Sequence, residues 1–153
     1  MKHYRNFIFL FIALVCLTTV VTAQTDTVNV IFLTDTHSHL VPFGPRDASG
    51  KGTIGGIARV ATIVNDLITT EKNPLFVHSG DLFVNDIMFN KFYGVPELEI
   101  LKDLGLRVMC VGNHEFDLGP DRLKASLVES GVAGSELAMI TADVDMTNDP
   151  ELA

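Results

Sequence analysis

The chain has 153 residues, 47% hydrophobic and 20% charged, with a formal net charge of -8. That balance excludes a disulfide mini-protein, a collagen-like repeat and a disordered acidic tail. It also disfavours a nucleic-acid-binding surface, which needs clustered positive charge. The average conceals a first segment with no acidic residue. There Lys2, His3 and Arg5 form a basic start, Phe7 to Val21 is an apolar run, and Val21-Thr22-Ala23 places small residues before Gln24. Residues 1–23 therefore read as a secretory signal, since the run is short of the ~20 residues that span a bilayer. Cys16 follows Val15 rather than the small residue a lipoprotein signal requires. The expectation is an exported protein, periplasmic or extracellular, without a stable membrane anchor. Cleavage would remove two basic residues and no acidic ones, leaving 24–153 more acidic still. It would also leave Cys110 as the sole cysteine, so no intramolecular disulfide can form.

The mature part alternates short apolar runs with helical stretches. Val28 to Leu33 is a β-branched and aromatic run that predicts a buried strand. Leu40 to Thr53, with two prolines and three glycines, reads as a surface loop. After Gly55-Gly56, the residues Ile57, Val60, Ala61, Val64, Leu67 and Ile68 recur at helical spacing. Leu75 to His78 predicts a second strand, and Leu82 to Gly94 is mixed. Pro96 opens a helix carrying Leu98, Leu101 and Leu104, and Arg107 to Val111 predicts a third strand. Pro120 opens a further helix with Leu123 and Leu127, stopped by Gly131. Ala138 to Ala142 predicts a fourth strand. The order βαβαβαβ implies an α/β fold built on a largely parallel sheet with right-handed crossovers.

Three strand ends carry residues of one chemical kind. Asp35-Thr36-His37-Ser38-His39 follows the first, Gly80-Asp81 the second, and Gly112-Asn113-His114-Glu115-Phe116-Asp117 the third. Residues two apart on an extended segment point to the same side, so Asp35 and His37 are expected to close on one ion. Asp81 and Asn113 would approach from neighbouring strands, each behind a glycine that permits a sharp turn and close backbone contact. Carboxylate, imidazole and amide oxygen suit zinc, manganese or iron rather than a thiolate metal. An Asp-x-His or a Gly-Asp alone is a common turn signal; their succession at the tips of one βα series is what points to a shared metal site. His39 reads as a solvated loop histidine, His78 as a hydrogen-bonded structural one, and Asp86 and Glu115 as loop carboxylates.

Asp35-x-His37, Gly80-Asp81 and Gly112-Asn113-His114-Glu115 resemble the signature of the calcineurin-like metallophosphoesterases. Gly55-Gly56-Ile57-Ala58-Arg59 and the extension to Phe116-Asp117 are similar to the secreted 5′-nucleotidase branch, which includes UDP-sugar hydrolases and cyclic-nucleotide phosphodiesterases. The resemblance runs from about Val28 to Val144. It implies a layered α/β/β/α sandwich, of which 24–153 is the amino-terminal part of the catalytic domain. It further implies two divalent metal ions, zinc, manganese or similar, with Asp35 and His37 on the first, Asp81 bridging, and Asn113 on the second. Such a pair activates a hydroxide for in-line displacement at phosphorus. His114 would face the substrate and Asp117 would orient it. The implied substrate is a nucleotide or another phosphate ester, hydrolysed in nucleotide catabolism. The same machinery would serve a 2′,3′-cyclic nucleotide phosphodiesterase, a UDP-sugar hydrolase or a thiosulfohydrolase. The family takes its remaining metal ligands from further downstream, so the expectation for the isolated chain is an inactive fragment. Nothing in the residues sets an oligomeric state.

Overall fold

The computed structural model describes residues 25–50, 52–145 and 147, together with Tyr4. Apart from Tyr4, the expected signal segment lies outside the described residues, among which no helix is long and apolar enough to cross a membrane. In chain order the elements are β1 (Asn29–Leu33), β2 (Phe43–Arg46), β3 (Gly52–Ile54), α1 (Ile57–Thr70), β4 (Pro74–His78), α2 (Ile87–Phe92), α3 (Val95–Asp103), β5 (Val108–Cys110), a 3-10 turn (Asn113–Phe116), α4 (Pro120–Glu129) and β6 (Ala138–Ile140).

The four expected strands form one parallel sheet in the order β1-β4-β5-β6. Register explains its two faces. Ile31 pairs with Phe76, and Met109 with Met139, so one face presents a continuous apolar row. Val64 from α1, Leu98 and Leu101 from α3 and Leu123 from α4 join that row in a single core. Phe76, Leu98, Leu101 and Met109 are almost wholly removed from water, each such burial contributing about 1.5–3 kcal/mol. The opposite face is also apolar, because Val30 pairs with Leu75, Phe32 with Val77, and Cys110 with Ile140. Val30, Phe32 and Ile140 nonetheless stay more than half exposed. A parallel sheet is ordinarily covered on both sides. The described residues thus supply one sheet and one helical layer of the expected sandwich, and what they leave open is a whole face.

Two loops proved more ordered than their composition suggested. Within Leu40 to Thr53, β2 and β3 form an antiparallel ribbon, Phe43 opposite Ile54 and Arg46 opposite Gly52. The pairing is made by backbone proximity: a Cβ on Gly52 would sit 2.6 Å from both N and O of Phe43. Asp47 closes the tip by accepting from the Ser49 backbone N–H at 2.8 Å. Arg59 braces the base, donating to the carbonyls of Gly55 and Gly52. Within Leu82 to Gly94, Asp86 is the N-cap of α2, accepting from the Met88 N–H at 3.1 Å rather than lying free in a loop.

His78 ends β4 with 2% exposure. Its Nδ1 accepts from the Gly80 N–H at 3.0 Å and its Nε2 meets the Thr36 hydroxyl at 3.1 Å, the structural role expected of it. Burial lowers its pKa from 6.5 to about 4, against opposing pulls from Asp35 and Asp81. The folded ring therefore stays neutral where an unfolded one takes up a proton. Its contribution is intact above the unfolded value and is lost as pH falls from about 6.5 toward 4. Denaturant unfolding in chelator should show lower stability at about pH 5 than at about pH 7.5, and His78→Gln should flatten that slope.

Candidate metal centre

The tips of β1, β4 and β5 bring their side chains together through loops of unusual backbone. Asp35, His37, Ser38 and Asp81 all have φ between 46 and 55°, and Val84 and Asn85 also lie in the left-handed region. Such values are uncommon away from glycine and cluster at functional loops. The β1 loop is laid along the β4 loop by backbone bonds from Asp35 N to Gly80 O, His37 N to Asp81 O and Ser38 N to Leu82 O, at 3.2, 3.2 and 2.8 Å. Asp35 and His37 therefore do not meet by strand alternation, since neither is extended. A left-handed turn brings Asp35 Oδ1 to 3.9 Å from His37 Nε2.

The tautomer of His37 is set by its other nitrogen. Nδ1 lies 3.1 Å from the Phe83 carbonyl and donates to it, which leaves the Nε2 lone pair directed toward Asp35. A lone pair and a carboxylate oxygen facing each other call for a cation. His37, Asp81 and His114 each place a ligand atom within 4.8 Å of the others. Nitrogen and carboxylate donors of this kind fit zinc, manganese or iron. The Asp35 carboxylate is oriented from behind: Ser79 Oγ donates to Thr34 Oγ1 at 2.5 Å, and Thr34 donates in turn to Asp35 Oδ2.

His114 stands edge-on to His37, ring centroids 5.1 Å apart. Its Nδ1 is 2.9 Å from Asp117 Oδ2. That hydrogen bond, with the charges of Asp117, Asp81 and Glu115 behind it, raises the His114 pKa above the ordinary imidazole value against a smaller desolvation effect. The backbone N–H of His114 donates to Asp81 Oδ1 at 3.2 Å. Asn113 opens the 3-10 turn beside them and is exposed. His39 points elsewhere, donating from Nδ1 to the His37 carbonyl at 2.8 Å and packing edge-on against Phe43.

Glu115 is the residue that the sequence reading missed. It is no loop carboxylate, being 3% exposed. Its Oε1 accepts from the N–H groups of Leu82 and Phe83, and its Oε2 from those of Asp81 and Gly112, at 2.6 to 3.2 Å. One carboxylate thus fastens the β4 loop to the β5 loop. The usable signal was Gly112-x-x-Glu115, the spacing at which a carboxylate reaches back to the first N–H of a helical turn. Gly112 is required for another reason: its backbone is extended, but a Cβ there would lie 2.2 Å from Asp81 Oδ1. Gly80 has φ +101, and a Cβ on it would meet Gly112 N at 2.6 Å.

A family model described as calcineurin-like phosphoesterase matches residues 28–141. Over 134 residues the chain is 29% identical to the trifunctional nucleotide phosphoesterase protein YfkN of Bacillus subtilis, covering 81% of the chain and 8% of that protein. It is 36% identical over 101 residues to the apyrase of Aedes aegypti, covering 65% of the chain and 18% of the apyrase. Among solved structures, the 5′-nucleotidase precursor of Thermus thermophilus superposes with a TM-score of 0.69 at 34% identity, over 80% of this chain and 23% of that one. The chain therefore spans less than a quarter of the length of each of these three proteins.

Glu115→Ala would leave backbone donors of both loops unpaired, the two buried ones, on Leu82 and Phe83, costing about 1–3 kcal/mol each. Thermal unfolding should show a loss of roughly 3 kcal/mol or more. Glu115→Gln should also be destabilising, because its amide NH₂ meets N–H donors where the carboxylate had acceptors.

Proposed function

The chain belongs to the calcineurin-like phosphoesterase family, and from that premise we propose that the protein hydrolyses phosphate esters of nucleotides, in the manner of a 5′-nucleotidase. The observation that carries the reading is the convergence of His37, Asp81 and His114 from three successive strand tips. The nucleotide substrate rests on the printed functions of the relatives, a nucleotide phosphoesterase, an apyrase and a 5′-nucleotidase precursor. Export is part of the proposal, supported by the basic start, apolar run and small cleavage residues of 1–23.

Asp35 and His37 would hold a first divalent cation, Asp81 would bridge to a second, and the side-chain oxygen of Asn113 would serve the second. Bound there, the cations supply Lewis-acid charge to the phosphoryl oxygens and lower the pKa of water. The protein's own groups do the rest. Phe83 O holds His37 in the tautomer that keeps Nε2 unprotonated. Thr34 and Ser79 hold Asp35 with its second oxygen turned toward His37. Asp117 keeps a proton on His114 by accepting from Nδ1. In the charged form that this pairing favours, Nε2–H would donate to the phosphoryl oxygens or pass its proton to the departing ester oxygen. In that charged form the ring offers no lone pair to a metal, which would separate the role of His114 from that of His37 although both lie in one cluster.

The test is release of inorganic phosphate from nucleoside 5′-monophosphates by the full-length protein. Activity should vanish in chelator and return with Mn²⁺ or Zn²⁺; release from no nucleotide would overturn the substrate assignment. Asp81→Ala should reduce turnover to background, and an active variant would refute the bridging role. Asp117→Asn should lower kcat by about a hundredfold. It should also move the alkaline limb of the pH profile to lower pH, since the interaction that raises the His114 pKa is lost.

A further inference from the structure

The loop after β1, the start of α1 and the first turn of α3 line a partly open cavity of about 170 Å³ that the catalytic reading leaves unused. Leu40, Ile57, Val60, Leu82 and Leu101 make its walls apolar. Ser38 and Glu97 also line it, each only 1% exposed. The Ser38 hydroxyl faces the Glu97 carboxyl and acts on it, yet neither that hydroxyl nor either carboxyl oxygen makes a hydrogen bond of normal geometry among the described residues. Three orphaned polar atoms around one cavity would cost about 1–3 kcal/mol apiece unless something inside it meets them.

The chemistry of the cavity selects the guest. No lysine or arginine lines it, and the one lining histidine, His39, is bonded to the His37 carbonyl through Nδ1, so no ion pair meets Glu97. A divalent cation of the calcium type takes about six or more oxygen ligands, beyond what the Thr36 and Ser38 hydroxyls and one carboxyl supply. Burial pushes the Glu97 carboxyl above its ordinary value, opposed in part by the Ser38 hydroxyl and by the residue's own backbone N–H, with Asp86 adding a smaller upward push. Water fits, since it needs two to four polar partners and roughly 10–15 Å³. Wholly apolar cavities stay dry, and this one is not wholly apolar.

The location gives that water a consequence. Ser38 follows His37 directly, sits at φ 55 and is held through its backbone by the N–H bond to Leu82 O. Those backbone bonds leave its side chain without a fixed partner. We propose that Glu97 and Ser38 hold ordered water in this cavity, and that the bridge steadies the His37–Ser38 turn, making Glu97 a positioning residue for the metal donor beside it. The positioning half rests on the reading of His37 as a metal ligand; the water bridge does not.

The experiment uses the full-length protein and the variants Ser38→Ala, Glu97→Gln, Glu97→Met and the Ser38→Ala/Glu97→Met pair. A high-resolution crystal structure should place water within hydrogen-bond distance of both side chains, and a dry cavity overturns the bridge. Unfolding in chelator should show coupling, Ser38→Ala being less costly once Glu97 is Met; strict additivity overturns the bridge too. Calorimetric titration with Mn²⁺ reads the positioning. Glu97→Met should weaken affinity by about tenfold, and Glu97→Gln, which retains hydrogen-bonding groups at the same place, should restore it to within about twofold. Coupling in stability with unchanged Mn²⁺ affinity overturns the positioning role. Absence of Mn²⁺ binding by the unmutated protein overturns the metal reading instead, and the crystal structure and the stability cycle then decide the bridge on their own. If Glu97→Met fails to fold, Ser38→Ala carries the affinity test with the same expected loss.

Discussion

The Glu115 carboxylate is the constraint on which the site depends. Four backbone N–H groups from two loops converge on its two oxygens inside the protein. Two of those donors, on Leu82 and Phe83, are buried and would otherwise be orphans, and the other two are half-buried. The bonds hold Asp81 on one loop against Gly112, Asn113 and His114 on the other. Without that clasp, the parallel pairing of β4 and β5 would align two strands and leave their tips joined only by the His114 N–H bond to Asp81. The approach is tight enough that Gly112 has no room for a Cβ beside Asp81.

The first loop is secured differently. Asp35, His37 and Ser38 take left-handed conformations that side chains other than glycine seldom adopt, and the backbone bonds to Gly80, Asp81 and Leu82 keep them there. The rigid part lies underneath: Phe76 and Met109, at the centre of the sheet, are packed under α1, α3 and α4. A stable parallel sheet thus supports strained loops, and the strained loops aim the donors. The sheet core and the site are also joined chemically, because buried His78 reaches Thr36 from the end of β4 and keeps the base of the first loop in place.

The sheet was readable from sequence because buried parallel strands are short apolar runs and because Pro96 and Pro120 mark the starts of the helices α3 and α4. The sequence grouped Asp35, His37, Asp81 and Asn113 as metal ligands from their places after those strands, whereas the donor cluster that the structure brings together is His37, Asp81 and His114. The way Asp35 and His37 meet was not readable, since alternation assumes an extended chain and theirs is a left-handed turn. The β2–β3 ribbon was hidden because its pairing depends on a missing Cβ at Gly52 rather than on any alternation of apolar residues. Glu115 was hidden because its partners are backbone groups some thirty positions away in sequence. Glu97, in turn, has no pattern to mark it: its burial against Ser38 exists only once α3 has packed beside the first loop.

Three strand tips, two of them clasped by Glu115, are thus proposed to assemble a divalent-metal site for phosphoryl chemistry. Anomalous diffraction from crystals of the full-length protein grown with Mn²⁺ tests this most directly. The expected result is an anomalous peak at coordination distance from His37 Nε2 and the Asp81 carboxylate, with Asp35 turned to meet it. A peak elsewhere, or none at these residues in crystals saturated with the metal, would contradict it.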